Sequence, residues 1–162
     1  MITEVSGDIL LSSANAIVHG IAPFDHFNQG LALALRERWP SLYKDFRHYC
    51  TNFHPKCGEL WSWGGPEQVR IISLFTQDPP LSEHQKPGKA RIENVHQCLR
   101  ALKKEVEKEK YKSIAIPRLA CGVGGLSWDE VKPTIQRDLA ELNAEVHVYG
   151  QYVAQKEAAI SA

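Results

Sequence analysis

The sequence predicts an α/β fold, a layered domain around a sheet that is partly parallel and partly antiparallel. Three observations lead there. Short β-rich runs alternate with stretches of helical periodicity, the pattern of strands joined by crossover helices. One pair of β-rich runs, ELWSW (Glu59 to Trp63) and VRIISLF (Val69 to Phe75), flanks Gly64, Gly65 and Pro66, which reads as a hairpin. The length, 162 residues with 43% hydrophobic, suits one domain able to bury a real core without disulfides or a structural metal.

In chain order, Ile2 to Val5 alternates weakly and runs into Ser6, Gly7 and Asp8, and ANAIVH (Ala14 to His19) reads as a buried strand. A polar loop, GIAPFDHFNQG, follows. Leu31, Ala34, Leu35 and Arg38 then recur at helical spacing up to Pro40, which ends that helix and opens another through Leu42, Phe46 and Tyr49. After the hairpin, a loop with Asp78, Pro79, Pro80 and Pro87 leads to Ile92, Val95, Leu99, Leu102 and Val106, the clearest amphipathic helix in the chain. SIAIP (Ser113 to Pro117) is a buried strand. Ser127 with Glu130 three residues on forms a capping-box signature ahead of Val131, Ile135, Leu139 and Leu142, with Pro133 expected to distort the first turns. VHVY (Val146 to Tyr149) is the last strand, and residues 153–162 read as a frayed tail.

Nineteen basic and nineteen acidic residues leave a formal net charge of zero, which disfavours the broad positive field of non-specific nucleic-acid binding. The start, MITEVSGDILL, lacks a basic region followed by a long apolar run, and no stretch approaches a membrane span. We therefore expect a cytoplasmic monomer that touches no membrane. Cys50, Cys57, Cys98 and Cys121 are expected to be free thiols.

Ligands of open α/β sheets bind beyond the carboxyl ends of strands, so two loops carry the chemistry. Arg118 to Ser127 holds Gly122, Gly124 and Gly125 immediately ahead of a helix start. Glycines let a backbone approach a ligand, and amides near a helix N-terminus suit a phosphate or diphosphate. The competing reading is a glycine turn that only closes strand to helix. Asp25, His26, Phe27, Asn28, Gln29 and Gly30 precede the other helix and could meet the opposite end of one ligand, or form a plain solvated connection.

From Ile2 to about Tyr149 the chain resembles the macrodomain family. The resemblance rests on Gly7-Asp8-Ile9 after the first strand, the ANAIVH strand, the glycine-containing loop into LALAL, and above all SIAIPRLACGVGGLSWDEVKP. It is most similar to the branch holding the terminal ADP-ribose protein glycohydrolase and the antitoxin macrodomains that clear ADP-ribose from DNA. Where other branches carry Asn-Ala-Ala-Asn, this chain has His19, Gly20, Ile21 and Ala22. The resemblance implies a three-layer α/β/α macrodomain fold with a central mixed sheet over residues 1–152, a flexible tail over 153–162, and an ADP-ribose pocket. Asp8 and the Ile9 amide would read adenine, since a carboxylate accepts only and so selects the exocyclic amine. Cys121, Gly122, Val123, Gly124, Gly125 and Leu126 would cradle the diphosphate. Asp25, Phe27, Asn28, Gln29, Gly30 and Leu31 would line the distal ribose and its phosphate, His19, Thr76 and Arg118 would also belong to the ADP-ribose site, and Tyr149 or Tyr152 would flank the adenine.

The chain departs from its branch at the reacting centre. The catalytic lysine of those relatives falls on Gln77, and an amide has no nucleophilic lone pair to replace an amine. The glycohydrolase's acidic residue falls on Gly124, where the antitoxin-like loop also has glycine. The reading is therefore an ADP-ribosyl hydrolase acting on labile esters of acidic side chains, through a water held by Gln77, Asp25 or His26 and the ligand's phosphate. A non-catalytic ADP-ribose reader is the first alternative. A DNA ADP-ribosyl hydrolase is the second. Its partner is expected to be ADP-ribose or an ADP-ribosylated protein, without cofactor or metal. The spacing of His48, Cys50, His54 and Cys57 matches no standard zinc pattern. Lys103, Lys104, Lys108, Lys110 and Lys112 interleave with glutamates as a solvated face.

Overall fold

A computed structural model describes residues 1–82, 84–152 and 159–160, those from 151 onward by backbone alone. Seven strands form one sheet in the order β3-β4-β2-β5-β6-β1-β7. They are β1 (Ile2–Gly7), β2 (Ala16–Ile21), β3 (Leu60–Gly64), β4 (Arg70–Phe75), β5 (Ser113–Pro117), β6 (Glu145–Tyr152) and β7 (Ala159–Ile160). The five inner strands run parallel, and β3 and β7 close the edges antiparallel. The sheet is mixed, as expected, with the hairpin at Trp63↔Ile71 in register. The tail expected to fray falls mostly outside the described residues, and its Ala159–Ile160 pairs with Ser6 and Val5.

Period-two alternation sends each inner strand's side chains to two different cores. Ala16, Val18, Ile72, Leu74, Ile114, Ile116, Val146 and Val148 face α3 (Ile92–Glu109) and α4 (Trp128–Asp138). Val5, Ile17, Ile21, Ile71, Phe75 and Ala115 face α1 (Gly30–Arg38) and α2 (Pro40–Phe53). This is the three-layer arrangement, and burial on both sheet faces accounts for runs as apolar as SIAIP.

Helix ends follow local chemistry. Pro40 starts α2, His54 ends it in a left-handed conformation at φ 45°, and Lys110 ends α3 in the same way at φ 57°. Ser127 caps α4 by accepting from the Asp129 N–H at 3.2 Å, one residue earlier than a capping box requires. The helix runs unbroken through Pro133 and stops at Asp138, shorter than the apolar spacing to Leu142 suggests. Leu139 and Leu142 remain buried in the turn that follows.

Candidate functional site

Loops beyond the carboxyl ends of β2, β4 and β5 enclose a cleft of about 520 Å³. The chain leaves β2 for the α1/α2 layer and leaves β5 for the opposite layer, so the cleft lies where the winding reverses, the usual ligand position in such sheets.

One rim is the loop from Arg118 to Ser127. Its turns are closed by Leu126 N–H to Ala120 O (2.9 Å), Gly125 N–H to Gly122 O (3.1 Å) and Cys121 N–H to Arg118 O (3.2 Å). The N–H groups of Gly122, Val123 and Gly124 donate to no acceptor among the described residues, and all three residues line the cleft. Free amides in a glycine loop just before the positive end of α4 are the chemistry that suits an anion. Glycine is required at two places here: Gly125 has φ +81°, and a Cβ on Gly124 would lie 2.7 Å from the Ala120 carbonyl oxygen.

The opposing rim is the turn from Ala22 into α1. Gln29 flanks the helix without a side-chain cap, so the first-turn amides remain available to a ligand. The rims nearly meet: Val123 Cγ2 is 4.0 Å from where a Cβ on Gly30 would stand. Phe24 and Phe27 adopt φ 60° and 51°, left-handed values that cost a non-glycine residue on the order of 1–3 kcal/mol each. Asp25 Oδ1 accepts from the Phe27 N–H at 2.7 Å. Burial pushes the Asp25 carboxyl above its ordinary range, against the lowering effects of that hydrogen bond, His26 and Arg47.

The floor holds His19, whose Nε2 pairs with Ser73 Oγ at 2.7 Å and whose ring meets Phe27 edge-on at 5.7 Å. Burial lowers its pKa to about 4, so the imidazole is neutral at pH 7. On the third wall Gln77 is buried and donates through Nε2 to Gly88 O at 3.1 Å.

A family model, the Macro domain, matches residues 26–135. The chain belongs to the macrodomain family. A curated DNA ADP-ribosyl glycohydrolase of Thermus aquaticus is 31% identical over 152 residues, 92% of this macrodomain and 41% of that protein. The chain thus spans about two fifths of that relative. The ADP-ribose glycohydrolase OARD1 of Bos taurus is 22% identical over 149 residues, 91% of this chain and 90% of that one. Among solved structures, the macrodomain of Thermus aquaticus DarG superposes with TM-score 0.79 at 27% identity, over 93% of this chain and 98% of the other.

Of the residues expected at the macrodomain site, the cleft gathers His19, Asp25, His26, Asn28, Gln29, Gly30, Leu31, Gln77, Arg118, Gly122, Val123 and Gly124. Cys121, Gly125 and Leu126 shape the same loop from behind. The Cys121 thiol, in contact with Leu119 O at 3.3 Å, is pushed up by burial rather than activated. Phe27 does not line the cleft: its side chain is fully buried against Tyr43 and Phe46. Tyr149 is likewise buried in the α1/α2 layer, and Thr76 is fully buried behind Gly20. The Tyr152 side chain lies outside the described residues. Asp8 and Ile9 stand outside the cleft, at the end of β1. Asp8 Oδ1 accepts from the Leu10 N–H at 2.9 Å, capping a 3-10 turn over Ile9–Leu11.

The cleft also has lining residues that were not expected, and four of them, His84, Gln85, Lys86 and Pro87, come from a loop that was not expected there at all. They belong to the proline-rich loop after β4. Its base is tied by Arg91 Nε and Nη2 to Asp78 Oδ2 (3.2 and 2.9 Å) and by Gly88 N–H to Asp78 O (2.9 Å). Only the placement of β4 beside β2 brings that loop to the cleft, a non-local fact. The described residues hold no cluster of three metal-ligating side chains, and no helix among them is long and apolar enough to cross a membrane.

Proposed function

We propose that this macrodomain binds ADP-ribose in the cleft and releases it from a modified macromolecule by hydrolysis at the anomeric carbon of the distal ribose. The observation that carries the reading is the set of three unpartnered amides, Gly122 to Gly124, on the rim that faces the α1 N-terminus across a cleft sized for a nucleotide. Two helix N-termini and a nest suit a diphosphate. The ADP-ribosyl glycohydrolase relatives support the same ligand. We assign the adenine end to Asp8 and the Ile9 amide, at the end of a strand in the same sheet.

Gln77 cannot be a nucleophile. With its Nε2 held by Gly88, its Oε1 is the atom that can orient a water, together with Asp25, His26 and a ligand phosphate oxygen. In that step the water oxygen bonds to the anomeric carbon and gives up a proton to the Asp25 carboxylate, as the bond to the acyl oxygen breaks and the side-chain carboxylate leaves. We take esters of acidic side chains as the substrate, because an acyl leaving group needs no amine catalyst. The second reading, a DNA-linked substrate, is favoured by the Thermus relative's name.

Titrating the protein calorimetrically with ADP-ribose, AMP and a GDP-linked sugar tests the ligand: binding of ADP-ribose above both controls is expected, and equal or absent binding overturns it. Labelled ADP-ribose on glutamate-modified protein and on a single-stranded oligonucleotide tests turnover. Release from the protein is expected, release from the oligonucleotide alone selects the DNA reading, and binding without release leaves a reader. Gln77→Ala should slow release at least tenfold, as for a lost water-positioning group, and unaltered turnover removes Gln77 from the step.

A further inference from the structure

The turn that presents Asp25 and His26 to the cleft holds a conformation its own residues disfavour, and two arginines from the helices behind it grip its backbone. Phe24 and Phe27, three residues apart, both lie in the left-handed region. Arg47 of α2 donates through Nη1 to the Phe24 carbonyl at 2.6 Å. Arg36 of α1 donates through Nη1 to the His26 carbonyl at 2.9 Å while its guanidinium lies 4.0 Å over the Tyr43 ring.

These two carbonyls matter because of the peptide planes they belong to. The Phe24 carbonyl shares its plane with the Asp25 amide, whose N–H reaches Ala22 O at 3.2 Å. The His26 carbonyl shares its plane with the Phe27 N–H, which donates to Asp25 Oδ1 at 2.7 Å. The two outer planes, before Asp25 and after His26, are therefore each fixed at the oxygen by a cation and at the nitrogen by an acceptor. Charge-assisted hydrogen bonds of this kind are about twice as strong as neutral ones, enough to hold a strained turn. Neither arginine is among the residues lining the cleft.

We infer that Arg36 and Arg47 are positioning residues of the ADP-ribose site: they lock the Phe24 to Phe27 turn so that the Asp25 carboxylate, His26 and the α1 N-terminus hold their places against the ligand. The inference rests on the ADP-ribose reading for its functional consequence and on the turn's geometry for its mechanism. Arg47 adds an electrostatic part. The groups that act on the Asp25 carboxyl are His26 and Arg47, with the Cys50 thiol beside them, and the Arg47 cation favours the ionised carboxylate in a place where burial opposes it.

The test uses the full chain with Arg36→Met, Arg36→Lys, Arg47→Met and Arg47→Lys, and it has readouts with and without ligand. Amide hydrogen exchange should show the Phe27 N–H protected in the parent and exchanging at least tenfold faster in both methionine variants. The Asp25 titration, followed by carboxyl carbon NMR, should move to higher pH in Arg47→Met and return towards the parent in Arg47→Lys, which keeps charge without the planar fork. ADP-ribose affinity should fall roughly tenfold or more in the methionine variants. If a methionine variant does not fold, its lysine counterpart decides through exchange and affinity, both expected to fall between the two extremes. Unchanged Phe27 protection with unchanged affinity overturns the inference. A parent that fails to bind ADP-ribose overturns the functional reading instead, while exchange and the Asp25 titration still decide the role of the arginines.

Discussion

Individual residues separate holding the fold from holding the ligand, most plainly within the glycine loop. Nothing lies within 4 Å of where a Cβ on Gly122 would stand, whereas one on Gly124 would press on backbone and on the Ala90 Cβ at 2.9 Å. Gly122→Ala should therefore leave the melting temperature near that of the parent and weaken ADP-ribose binding where the diphosphate meets the nest. Gly124→Ala should cost on the order of 1–3 kcal/mol of stability, as overpacking does. Thermal unfolding and calorimetry on both variants check the pair. His19 gives a pH prediction. Its folded pKa of about 4 is below the ordinary 6.5, so on acidification the unfolded chain takes up the proton first. Stability is thus full above about pH 6.5 and declines towards pH 4, by on the order of 3 kcal/mol. Urea unfolding at about pH 7.5 and 4.5 should show this loss, and His19→Asn should flatten that share of it.

Helices and strands were readable where the pattern is local. The 3-4 spacing of Ile92, Val95, Leu99, Leu102 and Val106 places one stripe of α3 on the sheet, and all but Ile92 are buried. Leu99→Ala should cost about 2–5 kcal/mol in chemical denaturation, because a fully buried site between helix and sheet collapses poorly. Pro40 at the start of α2 and Ser127 ahead of α4 were legible for the same reason, since a cap is set by its own neighbours. The end of α4 was not: Leu139 and Leu142 keep the helical spacing but are buried from a turn, and burial alone does not tell a helix from the bend after it.

Across the whole molecule, the sheet order makes one cleft from four separated stretches of chain. A ligand that bridges those stretches binds only the folded state, so saturating ADP-ribose should stabilise the protein by mass action. At a hundredfold excess over Kd the gain is about 2.7 kcal/mol, which in a domain of this size raises the melting temperature by roughly 5–10 °C. Differential scanning fluorimetry with ADP-ribose, against AMP at the same concentration, checks it. A shift no larger than with AMP would show that the distal half of the cleft contributes nothing.

By itself the sequence determined most element types, the mixed sheet and two of the loops that line the cleft, the glycine-rich one among them, because periodicity, turn chemistry and backbone freedom are properties of neighbouring residues. Only the tertiary structure decided that Phe27 belongs to the core, that the proline-rich loop with Lys86 forms a wall of the cleft, and that Arg36 and Arg47 grip the turn carrying Asp25. Each of these joins residues far apart in the chain. Which of them meet depends on strand order and on helices packing against opposite sheet faces, and no local pattern encodes that.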